Sequence, residues 1–158
     1  MKQYLYLPLA PPLPGGALNP AFMSLATPPK VLVGQFFEEV FNQHQVEAAD
    51  RYLSADYQRH SSGTTGRELF KQFFRQIFAG LSNYHVTVQQ VIAEGDRVVV
   101  HNTIEGDHTG PLMGHPPTGR HVRYDAIDIY RVAQGQLAEN WSVADLASLM
   151  RQLAPPSK

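Results

Sequence analysis

Two carboxylates and a run of histidines in the C-terminal third carry the side chains best suited to proton chemistry. They are Asp128 in VRYDAIDIYRV, Asp145 in ENWSVADLASL, and His101, His108, His115 and His121. Read as a strand, VRYDAIDIY puts Asp128 on one face with Val122, Tyr124, Ala126 and Tyr130. A carboxylate on such an apolar, aromatic face must be hydrogen-bonded, or neutralised with a raised pKa. Apolar surroundings also draw a carboxyl group toward the range useful for proton transfer near neutral pH. The structural alternative pairs Asp128 with Arg123 or Arg131 and makes Asp145 the N-cap of a helix beginning around Leu146.

The histidines suggest a metal at first sight, but their spacings match no helix-face or strand-face ligand pattern, and the chain holds no HxH or HxxxH. No metal is expected. A loop histidine such as His108 is better suited to donating a hydrogen bond or moving a proton. His60, in YQRHSSG, either faces a cavity or caps a helix end. GTTGRE lacks the Gly-Lys-Ser/Thr of a phosphate loop, and no serine stands in a nucleophile elbow. Cysteine is absent, which removes disulfides and thiolate chemistry.

The elements that would position these residues follow from periodicity. Of 158 residues, 43 % are hydrophobic and 17 % charged, with a net charge of −1, the profile of one globular domain. That balance exerts no general pull on nucleic acid or anionic lipid, and no apolar run approaches a membrane span, so neither is an expected partner. Residues 1–29 form a proline-rich arm holding seven of the twelve prolines, 30–154 the folded domain, and 155–158 a tail. Lys2 before a short apolar stretch has the order of a secretory leader, but Pro8, Pro11, Pro12 and Pro14 suit a signal core poorly, so a cytoplasmic protein is expected. Helical spacing is predicted over 30–44, 46–53 and 67–81, with SADYQRHSSGTTG between the last two reading as polar turns. Four strands follow, over 85–92, 97–105, 121–132 and 137–143, and then a closing helix over 144–153. Helices followed by antiparallel strands argue α+β.

The segments EEVFNQH (38–44), LSADYQRH (53–60), FKQFFRQIFAGL (70–81), IAEGDRVVV (92–100), GDHTGPLMGHPPTGRHV (106–122) and IDIYRVAQGQLAENW (127–141), with Asp145 after them, resemble the SnoaL-like polyketide cyclases, or ester cyclases, of the nuclear transport factor 2-like superfamily. The resemblance spans 31–153. It implies a cone-shaped α+β barrel, with N-terminal helices packed on a curved antiparallel sheet around a deep apolar pocket. It also implies a homodimer through the sheet. The activity it implies is an intramolecular aldol condensation of a small hydrophobic carbonyl compound, without metal or cofactor. Asp145, in the WxxxD motif, would be the acid–base group, with His60, His108, Asp128 and Trp141 as polar groups of the pocket. Relatives often carry histidine where Asn140 stands, and asparagine cannot shuttle a proton at neutral pH. Isomerases, dehydratases, epoxide hydrolases and pure binding modules share the superfamily, so a non-catalytic site for an apolar ligand is the alternative.

The long connection Gly106–Val122 is expected to form the pocket's rim, since loops of this length in compact domains usually serve function. Its glycines permit tight turns and its prolines limit freedom. His108 would offer a ligand one polar contact and Met113 an adaptable apolar one. Tyr124 and Asn140 complete the candidate contacts.

Overall fold

The computed structural model describes residues 27–154, so the arm up to residue 26 and the 155–158 tail lie outside the described residues. Helix α1 (Pro29–Phe36) starts with proline in its first turn, where a missing N–H costs nothing. The chain then widens into a π-helical stretch, Phe37–Asn42, closed by Gln43 N–H donating to the Glu38 carbonyl at 2.9 Å. The wider turn re-phases the helix face. Phe36, Phe37, Val40 and Phe41 are all buried, sharing one face. A 3-10 turn (Val46–Ala48) leads into the one-turn α2 (Ala49–Tyr52). The longest helix, α3 (Arg67–Gly80), buries Phe70 and Phe74. Its Lys71, 3 % exposed, is neutralised by Glu68 at 2.7 Å, Asp50 at 2.9 Å and Glu47 at 3.3 Å, tying α3 to α2 and the turn before it.

Six strands form one curved, unclosed sheet: β1 (Leu53–Arg59), β2 (Thr64–Thr65), β3 (Leu81–Glu94), β4 (Arg97–His108), β5 (His121–Ala133) and β6 (Gln136–Ala144), in the order β2-β1-β6-β5-β4-β3. Helix α4 (Leu146–Leu153) closes the domain. The β5–β6 hairpin turns on Gln134 and Gly135, both at positive φ, the geometry whose twist matches the flanking strands.

The α+β class and all four predicted strands are present, but three details differ from expectation. The sheet does not close into a barrel. It is not wholly antiparallel, because β1 runs parallel to β6, with Leu53 opposite Leu137 and Arg59 opposite Asn140. And the polar stretch after Leu53 is not only turns: it contains β1 and the short β2. An irregularity between Leu53 and Gln58 breaks the alternation that would have marked β1 as a strand.

The core lies between the helices and the concave face of the sheet. Phe36 is its centre, 0 % exposed, with ring centroids of Phe41, Phe70, Tyr52, Phe37 and Tyr130 at 5.0 to 6.0 Å. The β4–β5 loop folds back on the end of α3, where Thr109 and Gly110 N–H groups both reach the Gly80 carbonyl at 3.1 Å. A Cβ at Gly110 would collide with the Ala79 backbone, so this glycine serves close approach rather than positive φ. Among the described residues no helix is long and apolar enough to cross a membrane.

Candidate functional site

The concave face of the sheet and the inner sides of α3 and the π-helical stretch enclose a cavity of about 300 Å³. Phe41, Phe70, Phe74 and Ile77 supply apolar wall, and β5 supplies Tyr124, Ala126, Asp128 and Tyr130. Those four share a face by strand alternation, as the sequence predicts. At the mouth stand Phe73, Met113 and Leu146, each more than a third exposed.

Asp128 is the carboxylate in this wall. Asn102 Nδ2 donates to its Oδ2 at 2.9 Å and Asn140 Nδ2 to its Oδ1 at 3.2 Å. Each amide comes from a neighbouring strand, because Asp128 lies opposite Val100 on β4 and Ser142 on β6, and Asn102 and Asn140 each stand two residues away. With NH2 groups turned to the carboxylate, the buried Oδ1 of Asn102 is left without a protein partner. The reverse orientation would set carbonyl oxygen against carboxylate oxygen, the worse arrangement. Asparagine at 140 thus orients Asp128. The expected pairing of Asp128 with Arg123 or Arg131 does not occur: Arg123 faces Glu105 at 3.5 Å and Arg131 faces Glu139 at 2.5 Å.

Four tyrosines, Tyr57, Tyr84, Tyr124 and Tyr130, also line the cavity. Burial pushes all four phenols up, with Asp128 adding to the effect and Arg59 opposing it; Tyr124 reaches about 12. They therefore stay protonated at neutral pH and can donate hydrogen bonds. Tyr57, Arg59, Tyr84, Tyr130 and Asn102 were not among the sequence candidates. Tyr130 and Asn102 carried the signal, since one shares the Asp128 face and the other interrupts a valine strand.

Met113, Tyr124, Asp128 and Asn140 line the cavity as expected, but four candidates do not. Trp141 follows Asn140 on β6, and alternation turns it to the convex face. There it stacks on His60 with centroids 4.3 Å apart and planes 7° from parallel. His60 is bonded through Nε2 to Glu139 at 2.8 Å, away from the cavity. His108 is 0 % exposed, with Nδ1 3.0 Å from Thr118 Oγ1 and Nε2 unpartnered, so it anchors the base of the loop instead of meeting a ligand in the cavity.

Asp145 is exposed, and its Oδ1 accepts Ser148 N–H at 2.8 Å, the geometry of an N-cap on α4. Ala144 and Leu146 on either side contribute to the cavity wall, whereas Asp145 turns outward. Asp145 stands just past the end of β6, where its side chain caps α4 and does not continue the strand. Asp145→Ala should lower stability by about 1 kcal/mol, read from chemical denaturation. A cap-conserving Asp145→Ser should recover most of it. Asp128 shares the cavity wall neither with Asp145 nor with Arg97, Arg123 or Arg131, so the Asp-Arg-Asp grouping that epoxide opening needs is not brought together there.

The model of the SnoaL-like polyketide cyclase family matches residues 31–153. Nogalonic acid methyl ester cyclase of Streptomyces nogalater is 26 % identical over 122 residues, covering 73 % of this chain and 90 % of that protein. Among solved structures, TsrD of Streptomyces laurentii superposes with a TM-score of 0.74 at 26 % identity, over 87 % of this chain and 98 % of that one. A protein of Jannaschia sp. CCS1, assigned as a SnoaL-like polyketide cyclase, gives 0.75 at 28 % identity, over 81 % and 93 %. With nearly all of its described residues inside that match, and with helices wrapped on an open curved sheet, the chain belongs to the SnoaL-like polyketide cyclase family.

Proposed function

We propose that the protein is a cofactor-independent cyclase that removes a proton α to a carbonyl of a hydrophobic, polyketide-like substrate, with Asp128 as the base. The observation that carries this reading is the placement of Asp128: it is the carboxylate in the wall of the apolar cavity, oriented by two amides and accompanied by phenol donors. An Asp128 oxygen takes the carbon-bound proton. A phenol such as Tyr57 or Tyr124 donates to the enolate oxygen that develops. The enolate carbon then attacks a second carbonyl carbon of the same molecule, forming the ring bond. The alkoxide left by that attack recovers the proton from Asp128, so no net proton or electron is consumed. The cavity contributes by holding the two carbons together, which removes translational and rotational cost from the barrier.

A second reading, a non-catalytic site for an apolar ligand, draws support from the outward positions of Asp145 and His60 and from the occupation of both Asp128 oxygens by amides. Nogalonic acid methyl ester, named for the Streptomyces relative, is the first compound to test. Incubation in deuterated water should give a ring-closed isomer or deuterium at the acidic carbon, read by mass spectrometry. Tight binding with neither outcome would favour the binding reading.

We also propose that the protein pairs with a second copy through the convex face of the sheet. Val88, Ile92, Ile127, Ile129 and Val143 are exposed there, at 39, 60, 49, 37 and 77 % respectively. Ile127 lies opposite Val143 on β6, and Ile129, two residues on, lies opposite Val99 on β4, which in turn faces Ile92 on β3, so apolar side chains run across four strands. Ile127→Glu should convert a dimer to monomer in sedimentation experiments while the cavity on the other face is untouched. A native protein that sediments as a monomer at micromolar concentration would remove the proposal.

A further inference from the structure

We propose that Arg59 forms an anion subsite at one end of the cavity, so that the substrate carries an ionised oxygen group, a carboxylate or an acidic enol, remote from the carbon that loses its proton. The inference rests on the reading of the cavity as a substrate site and adds the chemical class of what enters it.

Arg59 ends β1 and lines the cavity beside Ser61 and Ser62. Its guanidinium lies over the ring of Phe73 at 4.3 Å, with Phe74 at 5.8 Å. Contact with aromatic faces uses none of the guanidinium's N–H donors, which stay available to a ligand. The other arginines are differently placed: Arg51, Arg67, Arg75, Arg97, Arg123 and Arg131 each have a carboxylate partner, Arg120 donates to the carbonyls of Gln152 and Ala154, and Arg151 is exposed on α4, outside the cavity wall. Among the described residues Arg59 has neither an ion pair nor a side-chain hydrogen bond. A half-buried guanidinium with unclaimed donors, set in an aromatic wall, is built to receive a planar anion.

Its position relative to Asp128 defines the ligand further. Arg59 lies opposite Asn140 on β6, and Asn140 lies opposite Tyr130 on β5, two residues from Asp128. The two charges thus sit on strands separated by β6, with strand axes about 10 Å apart. They do not pair with each other. Both act on the phenols of Tyr57, Tyr84, Tyr124 and Tyr130, in opposite directions, so both reach the same hollow. An elongated aromatic molecule with an anionic end at Arg59 would lie with its other end at Asp128.

The test is equilibrium titration of the full chain with two matched series: fused-ring carboxylates from naphthoate to anthracene-2-carboxylate against their methyl esters, and 2-hydroxy-1,4-naphthoquinone against its methyl ether. The ionised member of at least one series should bind tenfold or more tightly than its neutral partner. Arg59→Met should erase that preference while leaving the neutral compounds within about twofold, and Arg59→Lys should retain part of it. Preference in the first series identifies a carboxylate, preference in the second an enol. No preference in either series, including no binding at all, overturns the proposal, as does an equal loss for charged and neutral compounds in Arg59→Met. Asp128→Asn in the same titration keeps the two readings apart. It should leave the anion preference in place or strengthen it, whatever it does to proton exchange.

Discussion

Replacing Asp128 with asparagine should abolish ring closure and deuterium exchange while the protein stays folded. The amide has the shape of the carboxylate but cannot accept a carbon-bound proton. Positioned general-base catalysis is worth about 10²–10⁴-fold, so a loss of at least that order is expected. The fold should survive because Asp128 sits in a cavity wall and contributes no packed core. What is lost is one charge-assisted contact, since Asn102 and Asn140 would face an amide able to accept at a single oxygen. Asp145→Asn is the necessary control. The cap on α4 tolerates asparagine as well as aspartate, so neither stability nor turnover should change much. If Asp145→Asn removes activity and Asp128→Asn does not, the base has been assigned to the wrong carboxylate.

The largest loss of stability should come from Phe36→Ala, about 3–5 kcal/mol by chemical denaturation, or on the order of 10 °C in melting temperature. That is a large share of the total for a typical domain. Phe36 is fully buried and in contact with five aromatic rings drawn from the π-helical stretch, α2, α3 and β5. Truncation leaves a void that five rigid rings cannot easily fill. Four of those neighbours, Phe37, Phe41, Phe70 and Tyr130, also form cavity wall and would lose their backing, so affinity for apolar probes should fall along with stability. A loss below 1 kcal/mol would show that the helices are held to the sheet by other contacts.

Much of the domain was legible because its signals are local. The stripe Phe70, Phe74 and Ile77 marks α3, and alternation along VRYDAIDIY places Asp128 with Tyr124 and Tyr130 on the inner face. A period of 3.6 or 2 depends only on neighbouring backbone geometry. The loop glycines were legible as turns, which holds for Gly114 and Gly119 at positive φ, whereas the close approach of Gly110 to the Ala79 backbone depends on what lies across from it.

Family, α+β class, strand alternation and a carboxylate on an aromatic face were thus determined by the chain's own text. The tertiary structure alone decided which polar groups meet. Tyr57 and Arg59 enter the cavity because β1 pairs in parallel with β6, some eighty residues later in the chain, and no local pattern encodes that partner. His60 and Trp141 leave it because each stands one residue of alternation from an inward side chain, Arg59 and Asn140, and Asp145 leaves it as the cap of α4. Periodicity states which residues share a face; only the pairing of distant strands, with its irregularities, states which face looks inward and what stands opposite.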